Sequence, residues 1–197
     1  ALEVPAQREE NNNKTKESIM KSAVEQLSTY KSVHLNPTNI KSHFIGIPLI
    51  IWSVFLMLSL WRLPFVEGTF SIAMLLAVGV MVYYIKLHWR LALGLALFIL
   101  PVILTTERLY NLGYASIWLG ITVFVIGWIF QFIGHKYEKA KPAFIDDLNQ
   151  LLIGPFFLMA EVFFMLGLEE ELDNTITAIA RDKRRALEAA KRAVKTA

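Results

Sequence analysis

The apolar positions of the chain are bunched into long charge-free runs separated by short polar connections, a pattern of membrane spans rather than of a water-soluble core. Four runs, at about 44–61, 69–85, 91–106 and 109–133, predict four transmembrane helices. The third is short and contains Pro101, so it is expected to kink or to sit within the bundle. Ahead of them, Ile19, Met20, Ala23, Val24, Leu27 and Tyr30 recur at three- and four-residue intervals, which predicts an amphipathic helix on a membrane or partner surface. Residues 1–16 are almost wholly polar and are expected to form a flexible tail. A fifth apolar stretch, 151–168, holds Gly154, Pro155 and a central Glu161, and is expected to be re-entrant or interfacial with that carboxylate turned inward. In 169–197, Leu172, Ile176, Ile179, Leu187, Ala190 and Val194 keep helical spacing among Arg181, Lys183, Arg184, Arg185, Lys191 and Arg192. That predicts a basic amphipathic helix bound to the interface or to a partner. The expected fold is all-α: an integral membrane four-helix bundle over 17–168 with a fifth apolar helix and amphipathic terminal helices.

Composition narrows the chemistry. The 197 residues include no cysteine, which removes disulfides, thiolate metal sites and cysteine nucleophiles. The net charge of +3 comes from basic residues in the connections and at the ends, which orients a membrane protein and gives no argument for nucleic acid. No signal-peptide pattern precedes Pro5, and the chain opens on Ala1, which is compatible with processing or trimming.

The densest polar chemistry lies at helix ends. In the stretch GWIFQFIGHKYEKAKPA, Gln131, His135 and Glu138 share one helix face, and in VHLNPTNIKSHFIGIP, Asn36 followed by Pro37 predicts a helix start. That start puts Asn39 and His43 on one face, with His34 just before the cap. Four spans bring His34, His43, His88 and His135 to one side of the membrane, together with Lys31, Lys41, Lys86, Arg90, Lys136, Lys139 and Lys141. The positive-inside rule makes that side cytoplasmic, or the matrix in a mitochondrion. Imidazoles with one or two carboxylates and no thiolate suit iron(II), zinc or a similar ion, and a 2-His-1-carboxylate set leaves positions open for oxygen. Near the headgroups, such a site would receive the polar head of a lipid while the acyl chain stays in the bilayer. Gln131, Asn36, Asn39, Asp146 and Asp147 are candidates to orient the imidazoles or to bind that head.

The segments HLNPTNIKSHFIGIP and GWIFQFIGHKYEKAKPAFIDDLNQLLIGPFF resemble the fungal 2-hydroxy fatty acid dioxygenase family and its bacterial relatives, over roughly residues 28–168. The resemblance implies an iron(II), Fe(2+), dependent α-oxidation of 2-hydroxy fatty acids in which molecular oxygen removes one carbon. It implies metal-binding or catalytic roles for His34, His43 and His135, with Glu138 as a supporting carboxylate beside Gln131 and Asn39. His88 joins the candidate ligands on topology alone, because a histidine in its loop is not a fixed feature of the family, and the basic carboxy-terminal helix lies outside the family pattern. Expected partners are a 2-hydroxy fatty acid substrate, membrane lipids, and proteins docking on the two terminal segments. The expected location is the endoplasmic reticulum or a bacterial inner membrane, with the mitochondrial inner membrane as the alternative.

Rival classes fit less well. Membrane desaturases use more histidines in HxxxH and HxxHH clusters, and a bis-histidine haem needs facing histidines within the helices. A transporter keeps polar groups at the midplane, where Glu161 stands alone. The serious alternative is a non-catalytic accessory subunit of a larger membrane complex that retains this fold.

Overall fold

The computed structural model describes residues 23–64, 70–145 and 147–196. The polar tail expected at 1–16 and the start of the first helix, like Asp146, lie outside them. Residues 23–32 form α1, followed by α2 (Pro37–Ser59), α3 (Ile72–Leu87), α4 (Trp89–Leu109), α5 (Tyr114–Glu138), α6 (Gln150–Met165) and α7 (Glu170–Thr196). Among the described residues there is no strand, only a single bridge between Arg62 and Ser71, so the all-α expectation holds.

Local chemistry explains where the helices start. Asn36 caps α2 by accepting the Thr38 N–H at 2.8 Å, with Pro37 in the first position. Ser71 accepts from Met74 N–H to start α3, and α5 stops at Lys139 in the left-handed conformation. The stretch with Pro101 is not the short one: α4 runs for 21 residues, and α3, at 16, is the shorter helix. Proline there costs a single backbone donor, and the Thr105 hydroxyl donates to the Pro101 carbonyl at 2.8 Å.

Helices Pro37–Ser59, Trp89–Leu112 and Tyr114–Glu138 are long and apolar enough to cross a membrane. The outward faces of α3, α4 and α5 expose Leu75, Val78, Leu97, Leu100, Leu104, Trp118 and Val125. An apolar belt of this extent belongs in lipid, which makes the protein membrane-associated.

α2 and α5 approach closely because glycines face each other across the seam. A Cβ on Gly127 would meet Ile50 Cγ1 at 2.7 Å and the Gly46 carbonyl at 3.0 Å, and one on Gly46 would meet the Gly127 carbonyl at 2.7 Å. Gly127→Ala should therefore lower stability by about 1–3 kcal/mol. Gly79→Ala, whose Cβ meets nothing within 4 Å, should not. Thermal unfolding of the two variants in detergent checks this.

α6 packs on the histidine-end halves of α2 and α4, where Ile47, Ile51 and Leu95 share its core, and the Tyr84 hydroxyl of α3 donates to the Leu152 carbonyl at 2.6 Å. The terminal helices close over it. Ala23, Leu27 and Tyr30 of α1 and Leu172 and Ile176 of α7 share one core with Ile153, Phe156 and Phe157 of α6. The apolar stripe of α1 thus meets the chain's own α6 and α7 rather than an outside surface. Glu161 is turned inward and paired: Lys31 Nζ lies 2.8 Å from its Oε1 and 3.0 Å from Asp173 Oδ1. One lysine of α1 thereby ties α6 to α7, and two carboxylates offset the cost of burying its charge.

Candidate metal centre

Three histidines converge where α1, α2 and α5 meet. His34 stands in the turn after α1, His43 two turns into α2, and His135 one turn before the end of α5. One ring nitrogen of each lies within 4.8 Å of the others. The ring centroids are 4.6 Å (His34–His43), 4.9 Å (His34–His135) and 5.1 Å (His43–His135) apart, with interplanar angles of 78°, 69° and 80°. Mutually steep rings around one point form a three-sided ligand set with the remaining directions open.

The tautomers are set by the backbone. His34 Nδ1 lies 2.6 Å from the Tyr30 carbonyl and His43 Nδ1 lies 2.9 Å from the Asn39 carbonyl. A carbonyl only accepts, so both Nδ1 atoms carry their protons and both Nε2 atoms present lone pairs. Those two Nε2 atoms are 3.1 Å apart. Two lone pairs at that distance repel unless a cation lies between them. A shared proton is disfavoured, because burial holds the His34 pKa well below the ordinary imidazole value, with His43 and His135 adding to the effect. A divalent ion satisfies the pair, and backbone carbonyls that fix Nδ1 are what orient metal-binding imidazoles elsewhere.

One further atom fits an ion: His135 Nδ1 is buried without a hydrogen-bond partner. Tyr30 stacks on His34 with centroids 4.0 Å apart and planes 2° from parallel. Burial raises its phenol pKa, so the ring stays neutral.

Glu138, one turn after His135, has both carboxylate oxygens engaged. Its Oε2 accepts from Asn36 N–H at 2.8 Å and Asn39 Nδ2 at 3.2 Å, and its Oε1 accepts from Arg184 Nη1 at 3.2 Å. The two oxygens hold the start of α2 and the middle of α7. Of the four candidate histidines the structure brings three together, and Glu138 is not grouped with them among the described residues. Asn36 also donates to the Tyr137 carbonyl at 3.3 Å, and Asp147 Oδ1 accepts from Asn149 N–H at 2.9 Å, away from the site.

His88 does not join the other three. It forms the break between α3 and α4, and its Nδ1 accepts the Leu91 N–H at 3.4 Å as the cap of α4. Glu169 Oε2 is 3.9 Å from its Nε2. Burial lowers its pKa against the raising influence of Glu169, which keeps Nδ1 free to accept. His88→Ala should cost about 1 kcal/mol, the worth of a helix cap, with metal content unchanged, and His88→Asn should restore most of the loss. Unfolding midpoints and metal analysis of the two variants check both halves of this.

Two contributors went unrecognised in the sequence. Tyr30 supplies both the stacking ring and the carbonyl that orients His34. Arg184 reaches back to the Ser32 and Glu138 carbonyls and the Glu138 carboxylate. The i,i+4 spacing of Tyr30 and His34 was the available signal for the first. Nothing local could have shown the second.

A small cavity of about 80 Å³ adjoins the histidines, lined by Tyr30, Gln131, Trp128, Phe144 and the ring edges of all three. Gln131, one turn before His135, lines this cavity, while its Nε2 is buried against Gly46 of α2.

The family described as 2-hydroxy-palmitic acid dioxygenase Mpo1-like matches residues 20–166. The chain is 36% identical over 155 residues to the 2-hydroxy-palmitic acid dioxygenase MPO1 of Saccharomyces cerevisiae, covering 77% of this chain and 85% of the relative. No solved structure matches. The match takes in all three converging histidines, Gln131 and Glu138, and stops before α7.

Proposed function

The chain belongs to the 2-hydroxy-palmitic acid dioxygenase Mpo1-like family, and on that premise we propose that it is an iron(II)-dependent dioxygenase that shortens 2-hydroxy fatty acids by one carbon at the membrane interface. The observation that carries the metal half of this reading is the pair of facing lone pairs on His34 and His43, with His135 closing the third side. Iron(II) held there supplies the open positions and redox chemistry that the use of oxygen requires. The overall change, R–CH(OH)–COOH + O2 to R–COOH + CO2 + H2O, balances without an outside reductant.

The chain's own groups divide the remaining work. The Tyr30 and Asn39 carbonyls hold the His34 and His43 rings by their Nδ1 protons. Gln131 lines the cavity, and its side-chain amide would donate to the carboxylate or 2-hydroxyl of the substrate. The indole of Trp128 and the ring of Phe144, 5.3 Å apart, cover the cavity and keep water from the reacting carbons. Glu138 and Asn39 position α2 against α5 and touch no substrate.

The histidine end carries Lys41, Lys86, Arg90, Lys136, Lys139 and Lys141, which supports a cytoplasmic or matrix orientation. The endoplasmic reticulum or a bacterial inner membrane suits this reading, with the mitochondrial inner membrane as the alternative. The test is metal analysis of the purified protein with an oxygen-dependent assay on 2-hydroxypalmitate after anaerobic iron(II) loading. About one iron per chain and a fatty acid one carbon shorter are expected. A folded protein that holds no metal and turns nothing over overturns the reading in favour of an accessory subunit.

A further inference from the structure

Beside the histidine cavity lies a larger void that the metal chemistry does not use. It measures about 310 Å³ and is bounded by α2, α3, α5 and α6, with Ile99 of α4. Apart from the Tyr84 hydroxyl, which is engaged with the Leu152 carbonyl, its lining side chains are apolar or aromatic. The two cavities share Ile50, Ile51, Trp128, Leu151 and Pro155, so the oily chamber adjoins the histidine cavity across a common wall.

We propose that this chamber holds the alkyl tail of the substrate and that Ala77 of α3 and Phe124 of α5 set the chain length the enzyme accepts. The inference rests on the reading of the chain as a 2-hydroxy fatty acid dioxygenase. Depth supports it. From His43 to Val54, which lines the far part of the chamber, α2 rises about 16 Å at 1.5 Å per residue. That is about half of a hydrocarbon core of ~30 Å, the depth that one leaflet's acyl chains occupy. A second apolar pocket, between α2, α4 and α6, also adjoins the histidine cavity, but its volume of about 120 Å³ is well below the ~300 Å³ at which ligand pockets begin.

The same geometry supplies an entrance. α3 and α5 both pack on α2 and make little contact with each other. Leu76 and Phe124 stand on either side of the gap, and Leu76 is exposed on the lipid-facing surface. A fatty acid already in the bilayer can slide its tail sideways between these helices while its carboxyl end stays at the level of the histidines. Ala77 is buried at the chamber wall, where its small side chain leaves the space free.

The experiment uses the full chain in lipid nanodiscs, loaded with iron(II), and compares kcat/KM for 2-hydroxypalmitate with that for 2-hydroxyoctanoate. Ala77→Phe should depress the ratio by about fourfold for each methylene it keeps out of the chamber, hence by more than 100-fold overall, with turnover of the short acid retained. Phe124→Ala enlarges the chamber and should shift preference toward acids longer than 2-hydroxypalmitate. In parallel, a 2-hydroxy acid bearing a photoreactive diazirine at its methyl end should label α3 and α5 around Ala77 and Phe124. Equal loss for both acids in an Ala77→Phe protein that keeps its metal overturns the assignment. So does crosslinking confined to Phe98 and Met159 of the smaller pocket. If the wild-type protein turns over neither acid, the functional reading falls, and the position of the crosslink still decides whether the chamber takes the tail.

Discussion

His135→Ala yields a protein that folds and inserts but retains almost no metal, and with it loses all oxygen-dependent turnover. The effect is expected to be large because, among the described residues, the proposed site is three imidazoles, one from each of three backbone segments. Two of them, His34 and His43, are only nine residues apart and face each other directly. His135 is the one that arrives from the far end of the chain and closes the third side. Loss of an outer partner of a metal ligand lowers affinity by about 10–100-fold, and loss of one ligand in three should exceed that. The fold should survive, since His135 is only partly buried, its Nδ1 makes no hydrogen bond, and the glycine seam between α2 and α5 lies deeper in the bundle. Metal analysis of the detergent-purified variant, beside circular dichroism to verify helix content, is the check. Full occupancy in a folded His135→Ala protein would remove the triad as the metal centre.

Glu138→Ala should have the opposite profile, a large loss of stability with a smaller loss of metal. Its carboxylate is the common acceptor for the first turn of α2 and for Arg184, and its side chain is 2% exposed against 18% for Arg184. Removal leaves a guanidinium in a sheltered position and frees Asn36 N–H and Asn39 Nδ2. Breaking a buried pair in this way costs about 3–5 kcal/mol, and the Glu188 carboxylate 2.8 Å from Arg184 Nε should hold the loss toward the lower end. Metal affinity should fall by about 10–100-fold, because the Asn39 carbonyl that orients His43 rides on the loosened turn. Glu138→Gln keeps an acceptor for α2 and should recover part of both losses. Thermal unfolding with a metal titration separates the two effects. Complete loss of metal at an unchanged unfolding temperature would instead make Glu138 a ligand.

The contrast between these two residues shows how far local spacing reaches. Gln131, His135 and Glu138 do share a face of α5, but one turn of helix is enough to give His135 to the triad and Glu138 to the start of α2 and to Arg184. His34 and His43 approach one point from two backbone directions, as the Asn36–Pro37 cap predicts. His88 satisfied the same topological argument and still lies apart, because being on one side of a membrane constrains depth and leaves lateral position free. The amphipathic stripes of α1 and α7 were visible as periodicity. Their shared partner was not, since a stripe says which face must be covered and nothing about what covers it.

By itself the sequence determined that the protein is helical and membrane-associated, that it lacks thiolates, and that histidines gather at one end of the bundle. Those features follow from composition, span length and side-chain period, which act over a few turns of helix. Only the tertiary structure decided that His88 stands apart from the other three histidines, that Glu138 is tied to Arg184, and that α1, α6 and α7 close the histidine end as one core. Those depend on contacts between residues far apart in the chain, such as Asn39 with Glu138 and Lys31 with Asp173, whose partners are chosen by packing of the whole bundle.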